Sequence, residues 1–282
     1  MTELLTERTP RVAAARKLLR RAAREDTGRF LLEGVRPAYD AVTRAETDPG
    51  AVTDLFVTEH VADRERDLLI RAREAGIRIA LVSEKAIAGL TDTVRPQGLV
   101  LVCRQPRAEF PPQPRLVAVL VDVADPGNAG TVIRTADAAG ADAVLLVGDS
   151  VDPYNPKCVR ASMGSLFHLP VLRERFPDVG FSRLREAGLA LVVADGGGET
   201  VLGPDTDDLL ARPTAWVFGS EAHGVPAEVA AQADHRVRVP IRGHAESLNL
   251  ATAAAVCLYA SVRAQETERS GTQVANPVGP PR

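Results

Sequence analysis

The chain has 282 residues, enough for two domains, and its 45% hydrophobic and 25% charged residues describe an ordinary globular protein. Its 34 Lys and Arg against 37 Asp and Glu leave a formal net charge of −3, so global basicity does not announce a nucleic-acid partner. No apolar run approaches about 18 residues, which removes a membrane span, and the polar start Met1–Arg8 lacks a secretory apolar core. Cys103, Cys158 and Cys257 are scattered and odd in number, which fits reduced thiols in a cytoplasmic protein and offers no metal-site spacing.

Residues 1–28 read as a basic N-terminal helix. Thr9-Pro10 is a favourable helix start, and Val12, Ala15, Leu19 and Ala22 recur at helical spacing before Gly28. Arg11, Arg16, Lys17, Arg20, Arg21 and Arg24 fill the other face. Such a stripe can neutralise phosphates even on an acidic protein, because screening confines each charge to about 8 Å at physiological salt. A merely solvated helix face would look the same.

Residues 29–104 then alternate. The pattern predicts a strand at Phe30–Leu32, a helix Val35–Thr43, a strand Asp54–Thr58, a helix Ala62–Ala75, a strand Ile77–Val82, a short helix capped by Ser83 and a strand Gly98–Cys103. Residues 105–115 carry clustered prolines and read as a stiff linker. A second rhythm follows in 116–264, with strands at Leu116–Asp122, Ala143–Val147, Phe167–Leu172, Leu189–Ala194, Thr214–Phe218 and Val237–Ile241. Helices are predicted at Ala129–Ala139, Pro156–Gly164, Val179–Ala187 and Leu248–Ala264. Apolar strands with little alternation indicate a parallel sheet covered on both faces. Residues 265–282 lack periodicity and are expected to be disordered.

Three islands each follow an apolar run: Asp125-Pro-Gly-Asn-Ala-Gly-Thr-Val-Ile-Arg134, Phe218-Gly-Ser-Glu-Ala-His-Gly224 and Pro240-Ile-Arg-Gly-His-Ala-Glu-Ser-Leu-Asn-Leu250. Ligands in open α/β sheets bind outside the strand carboxyl ends, so the islands are expected to build one site. Gly127 and Gly130 flank Asn128 at a helix start suited to a phosphate, with Arg134 farther along the same helix. Gly219 and Gly224 let a loop approach a flat ligand, and Glu221 between them is either a cap or a contact. Ser247 and Asn249 either cap the last helix or face substrate. Gly196-Gly-Gly198 does not complete a dinucleotide fingerprint, no nucleophile turn supports a hydrolase, and His223 and His244 lack a third metal ligand.

Asn128…Arg134, Gly219-Ser-Glu-Ala-His-Gly224 and Pro240…Ser247-Leu-Asn249, with Val159-Arg-Ala-Ser-Met-Gly-Ser-Leu-Phe167, resemble the SpoU/TrmH branch of the SPOUT superfamily, RNA ribose 2′-O-methyltransferases, over about residues 116–264. The segment 29–104, opening on Leu32-Glu-Gly-Val-Arg36, resembles an L30e-like RNA-binding domain. The resemblance implies an α/β fold whose parallel sheet ends in a deep trefoil knot, a homodimer, and S-adenosylmethionine held by Phe218, Gly219, Glu221, Gly224, Pro240, Ile241, Gly243, Ser247, Leu248 and Leu250. It implies catalytic roles for Arg134, Asn128, Glu221, Ser247 and Asn249. Ala222 and Ile241 depart from the branch, where Gly and Met are common. The implied partner is RNA, 23S ribosomal RNA before tRNA, and not DNA; an RNA-binding protein without activity on the same fold is the alternative from another class.

Overall fold

The computed structural model describes residues 4–220 and 223–274. Two compact units emerge, neither a continuous stretch of chain: Met1–Ala108 with Asp125–Arg134 and Val151–His168, and Glu109–Ala124 with Thr135–Ser150 and Leu169–Arg282. Residues 105–115 carry neither helix nor strand.

The first unit runs α1 (Pro10–Arg16), a 3-10 turn Lys17–Leu19, α2 (Arg21–Thr27), β1 (Arg29–Glu33), α3 (Val35–Thr47), β2 (Val52–Val57), α4 (Glu59–Arg64), α5 (Arg66–Glu74), β3 (Arg78–Leu81), α6 (Glu84–Ala88) and β4 (Leu99–Arg104). Its sheet has the order β1-β4-β2-β3, with β4 antiparallel to both neighbours and β2 parallel to β3. Val12, Ala15 and Leu18 join Leu31, Phe56 and Val100 in its core. Ser83 caps α6 as predicted, its hydroxyl accepting from the Ala86 N–H.

The single basic helix expected over 1–28 is broken at Arg20, which adopts extended backbone (φ −94°, ψ 135°). The break resets the helical phase, so Ala22 is exposed and Arg24 is only 2% exposed. Arg24 Nε and Nη2 donate to Asp152 Oδ2 at 2.8 and 2.7 Å, and Nη1 donates to the Leu18 and Leu19 carbonyls at 3.0 Å each. One cation of the expected stripe is therefore an interior ion pair. Glu65 (φ −104°, ψ 42°) likewise splits the helix expected over 62–75 into α4 and α5.

The same unit holds the start of α7 (Pro126–Ala138) and all of α8 (Pro156–Ser162). The Phe30 ring of β1 lies 4.9 Å from that of Tyr154 and 6.1 Å from that of Phe167. A Cβ on Gly130 would overlap the Cys158 carbonyl and sit 2.7 Å from Ala161 Cβ. That glycine of the first island therefore lets α7 lie directly on the α8 backbone, a packing role the sequence reading did not assign.

The second unit contains β5 (Leu116–Val121), β6 (Ala143–Val147), β7 (Val171–Glu174), α9 (Pro177–Glu186), β8 (Ala190–Ala194), β9 (Thr200–Val201), α10 (Asp207–Leu210), β10 (Thr214–Phe218), α11 (Ala227–Ala230), β11 (His235–Arg238) and α12 (Leu250–Val274). The seven strands form a parallel sheet in the order β7-β6-β5-β10-β8-β11-β9. Every residue of β5, β6 and β10 is buried, which is why these strands read as unbroken apolar runs. Trp216 stacks on Phe218 and donates its indole N–H to Ser261 Oγ at 2.8 Å, tying β10 to α12. Phe167 lies in a 3-10 turn, and the strand expected from it begins at Val171. The disorder expected from Gln265 does not begin there: α12 continues to Val274, and 275–282 lie outside the described residues.

Candidate functional site

β10, β8 and β11 are neighbours in the parallel sheet, and their carboxyl ends open on one cavity of about 400 Å³. Ala194, Asp195 and Gly196 enter from the end of β8; Phe218, Gly219, Ser220 and Gly224 from β10; Val239 and Ile241 from β11. Glu246 to Leu250, with Ala253, close it from the start of α12. The volume lies within the roughly 300–1,000 Å³ usual for small-molecule pockets, at the strand ends where α/β sheets bind ligands.

The loop after β10 is held by its own backbone. Ser220 N–H donates to Gly224 O at 3.1 Å and Gly224 N–H to Ser220 O at 2.8 Å. A Cβ on Gly219 would overlap the Gly224 carbonyl and the Val225 nitrogen, so only glycine permits this closed turn beside the cavity. Ile241 and Leu248 are each 37% exposed, and both line the cavity. Asn249 Oδ1 accepts from the Ala251 and Thr252 N–H groups at 2.9 and 3.4 Å, so it caps α12 as well as lining the cavity.

Asp195 and Glu246 are the charged side chains among the described lining residues. Burial raises the Asp195 pKa, but hydrogen bonds from Arg236 and the Gly197 N–H, with the charge of Arg236, outweigh it and hold the carboxyl below its ordinary range.

Of the three islands expected to build one site, the second and third line this cavity, and no residue of the first does. Phe218, Gly219, Gly224, Ile241, Ser247, Leu248, Asn249 and Leu250 share one cavity, whereas Pro240 and Gly243 are not among its lining residues. Glu221 and Ala222 lie outside the described residues. Asn128 and Arg134 of the first island sit on α7 in the first unit. Arg134 is exposed, and the Asn128 N–H donates to Asp125 Oδ1 at 2.8 Å. A hydrogen bond from Lys157 Nζ at 2.7 Å, then the Asn128 N–H and the Lys157 charge, lower the Asp125 pKa. Asp195 and Gly196 are not among the expected site residues, because Gly196-Gly-Gly198 completes no dinucleotide fingerprint. Polar residues and glycine directly after an apolar strand, the signal used for the other islands, were present there too.

Residues 115–259 match the SpoU rRNA Methylase family, and residues 9–101 match the MRM3-like substrate binding domain. The second match includes residues of the basic segment that sequence reading set apart. The chain is 33% identical over 259 residues to the 23S rRNA (guanosine(2553)-2′-O)-methyltransferase RlmP of Bacillus subtilis (strain 168), covering 92% of this chain and 98% of that protein. It is 32% identical over 287 residues to the 23S rRNA (uridine(2479)-2′-O)-methyltransferase of Streptomyces viridochromogenes, covering 95% of this chain and 94% of that one. Among solved structures it is similar to an AdoMet-bound rRNA methyltransferase from Sinorhizobium meliloti, with a TM-score of 0.79 at 31% identity, covering 93% and 98% of the two chains. Motifs, parallel sheet and near full-length likeness agree: the chain belongs to the SpoU rRNA methylase family.

Proposed function

We propose that this protein is a cytoplasmic S-adenosylmethionine-dependent methyltransferase acting on a ribose 2′-hydroxyl of 23S ribosomal RNA. The observation that carries the reading is the glycine-walled cavity at the ends of β8, β10 and β11. Its lining fits the cofactor. Ile241 and Leu248 offer exposed aliphatic faces to a purine, and the close Ser220–Gly224 turn offers backbone at the cavity wall. Carboxylates, with no cationic side chain among the described lining residues, suit a ligand of net positive charge. The names of the relatives support the RNA target, and the AdoMet-bound structure supports the donor.

When bound, the cofactor supplies a methyl group on a cationic sulfur, open to in-line attack. The residues of this chain must then align the 2′-oxygen and stabilise the charge it gains as its proton passes to solvent water. A guanidinium keeps its proton in proteins, so the role assigned to Arg134 is electrostatic: it steadies the developing alkoxide or the neighbouring phosphate. Asn128 orients that phosphate or Arg134. Glu221, Ser247 and Asn249 order the loops and the ribose, with Asn249 also capping α12. Residues 29–104 are assigned an L30e-like fold that selects the RNA, residues 105–115 a linker, and residues 116–264 a trefoil-knotted SPOUT domain working as a homodimer.

The test is incubation with methyl-labelled cofactor and total RNA, followed by mapping of the modified nucleotide. Label on a 2′-oxygen of 23S ribosomal RNA is the expected result. Label on tRNA would overturn the target, and RNA binding without transfer would overturn the enzyme. Arg134→Ala should lose most turnover, while full activity in Arg134→Lys would reject a need for the planar fork.

A further inference from the structure

Asp195 directly follows β8, and Arg236 lies on the adjacent parallel strand β11, opposite Val193. From there Arg236 Nε and Nη2 reach Asp195 Oδ2 at 3.1 and 2.6 Å, while Nη1 reaches Glu199 Oε1 at 3.2 Å. Asp195 Oδ1 accepts the Gly197 N–H at 2.8 Å, and the Asp195 N–H donates to Val237 O at 3.0 Å. A Cβ on Gly198 would come within 2.8 Å of the Arg236 carbonyl, so this loop lies flat on the β11 backbone. The carboxylate is thereby held in one orientation, yet its side chain stays 30% exposed and lines the cavity. Oδ2 takes both Arg236 donors; Oδ1 takes a single N–H and retains acceptor capacity.

We infer that Asp195 accepts a hydrogen bond from the ligand of this cavity, a hydroxyl or ammonium group of the methyl donor, and that Arg236 is a positioning residue acting through it. The inference rests on the methyl-donor reading above. An oriented carboxylate binds without the cost of ordering it at the moment of capture, which is what the two-donor grip of Arg236 provides. A loop staple with no part in binding would use the same contacts but leave donor affinity untouched.

The experiment uses the full chain, with S-adenosylmethionine titrated calorimetrically into wild type, Arg236→Met, Arg236→Lys and Asp195→Asn, and thermal melting of each. Asp195→Asn keeps an acceptor for the Gly197 N–H but sets an NH2 group where Oδ2 met the Arg236 donors, so it removes both the charge and the guanidinium grip. Arg236→Met and Asp195→Asn are expected to weaken donor binding by about tenfold, as for a lost hydrogen bond to a charged group, with Arg236→Lys recovering much of the loss. In methyl transfer the effect should fall on KM for the donor, with kcat and KM for RNA within about twofold of wild type. Donor affinity unchanged in both Asp195→Asn and Arg236→Met, with wild type binding normally, overturns this inference alone. If Arg236→Met melts early, Asp195→Asn decides. Failure of wild type to bind the donor overturns the cofactor reading and this inference together.

Discussion

Gly219→Ala isolates the geometry of the cavity from its chemistry. The added methyl would overlap the Gly224 carbonyl and the Val225 nitrogen, all backbone, so no rotamer relieves it. The turn must open, breaking Ser220 N–H to Gly224 O (3.1 Å) and Gly224 N–H to Ser220 O (2.8 Å). Two backbone hydrogen bonds are worth about 1–3 kcal/mol net, so a ligand that needs the closed turn should bind roughly 5- to 150-fold more weakly. The buried Trp216 and Phe218 beneath the turn keep their stacking, so the unit should stay folded. Calorimetric titration of S-adenosylmethionine, with near-UV circular dichroism to report on Trp216, measures both quantities. A folded Gly219→Ala protein that binds the donor within about twofold of wild type would refute the placement of the ligand against this turn.

Three other perturbations test the framework. Asp152→Asn leaves Arg24, paired at side-chain exposures of 3% and 6%, as a buried cation without its counter-charge; unfolding in urea should show a loss of about 3–5 kcal/mol, and a loss below about 1 kcal/mol would contradict a dry ion pair. Lys157→Met should raise the Asp125 titration midpoint, followed by carboxyl carbon NMR, because the Lys157 hydrogen bond is the first cause of its depression. The sign is that of a lowered carboxylate: its stabilising contribution is present above the unfolded value of about 3.9 and is lost as pH falls through the lowered folded value. With the Asp125 side chain 41% exposed the effect on stability should be slight, and an unmoved midpoint would refute the assigned cause. Burial pushes the Cys158 and Cys257 thiols up to about 12 and raises Cys103 as well, so a thiol reagent at pH 8 should find all three only after denaturation. Rapid labelling of the native protein would show the burial to be wrong.

The Arg24–Asp152 pair also bears on how the segment that matches the MRM3-like substrate binding domain should be dissected. Phe30 packs against Tyr154 and Phe167, and Arg160 forms ion pairs with Glu33 and Asp92, so residues before 105 share one core with Val151–His168. Deleting residues 1–104 would remove the partners of a buried carboxylate and two aromatic rings. Loss of methylation after that deletion would therefore report on folding as much as on RNA selection, and point substitutions on the exposed arginines are the cleaner probe.

Strands β5, β6 and β10, the glycine turn at Gly219–Gly224 and the family motifs were legible in the residues alone. Those signals are local: a strand buried on both faces must be apolar along its length, and a turn without room for a Cβ must be glycine. Other features rest on contacts between segments far apart in the chain. That β10 lies beside β8 and β8 beside β11 is a matter of strand order, which no window of residues records, and it is what brings Asp195 to the cavity. The break at Arg20 and the burial of Arg24 depend on Asp152, 128 positions away in the chain, so helical periodicity alone placed that arginine in solvent. Asn249 was legible as a cap or as a contact, and only the fold, by setting the first turn of α12 against the cavity, gave it both positions at once.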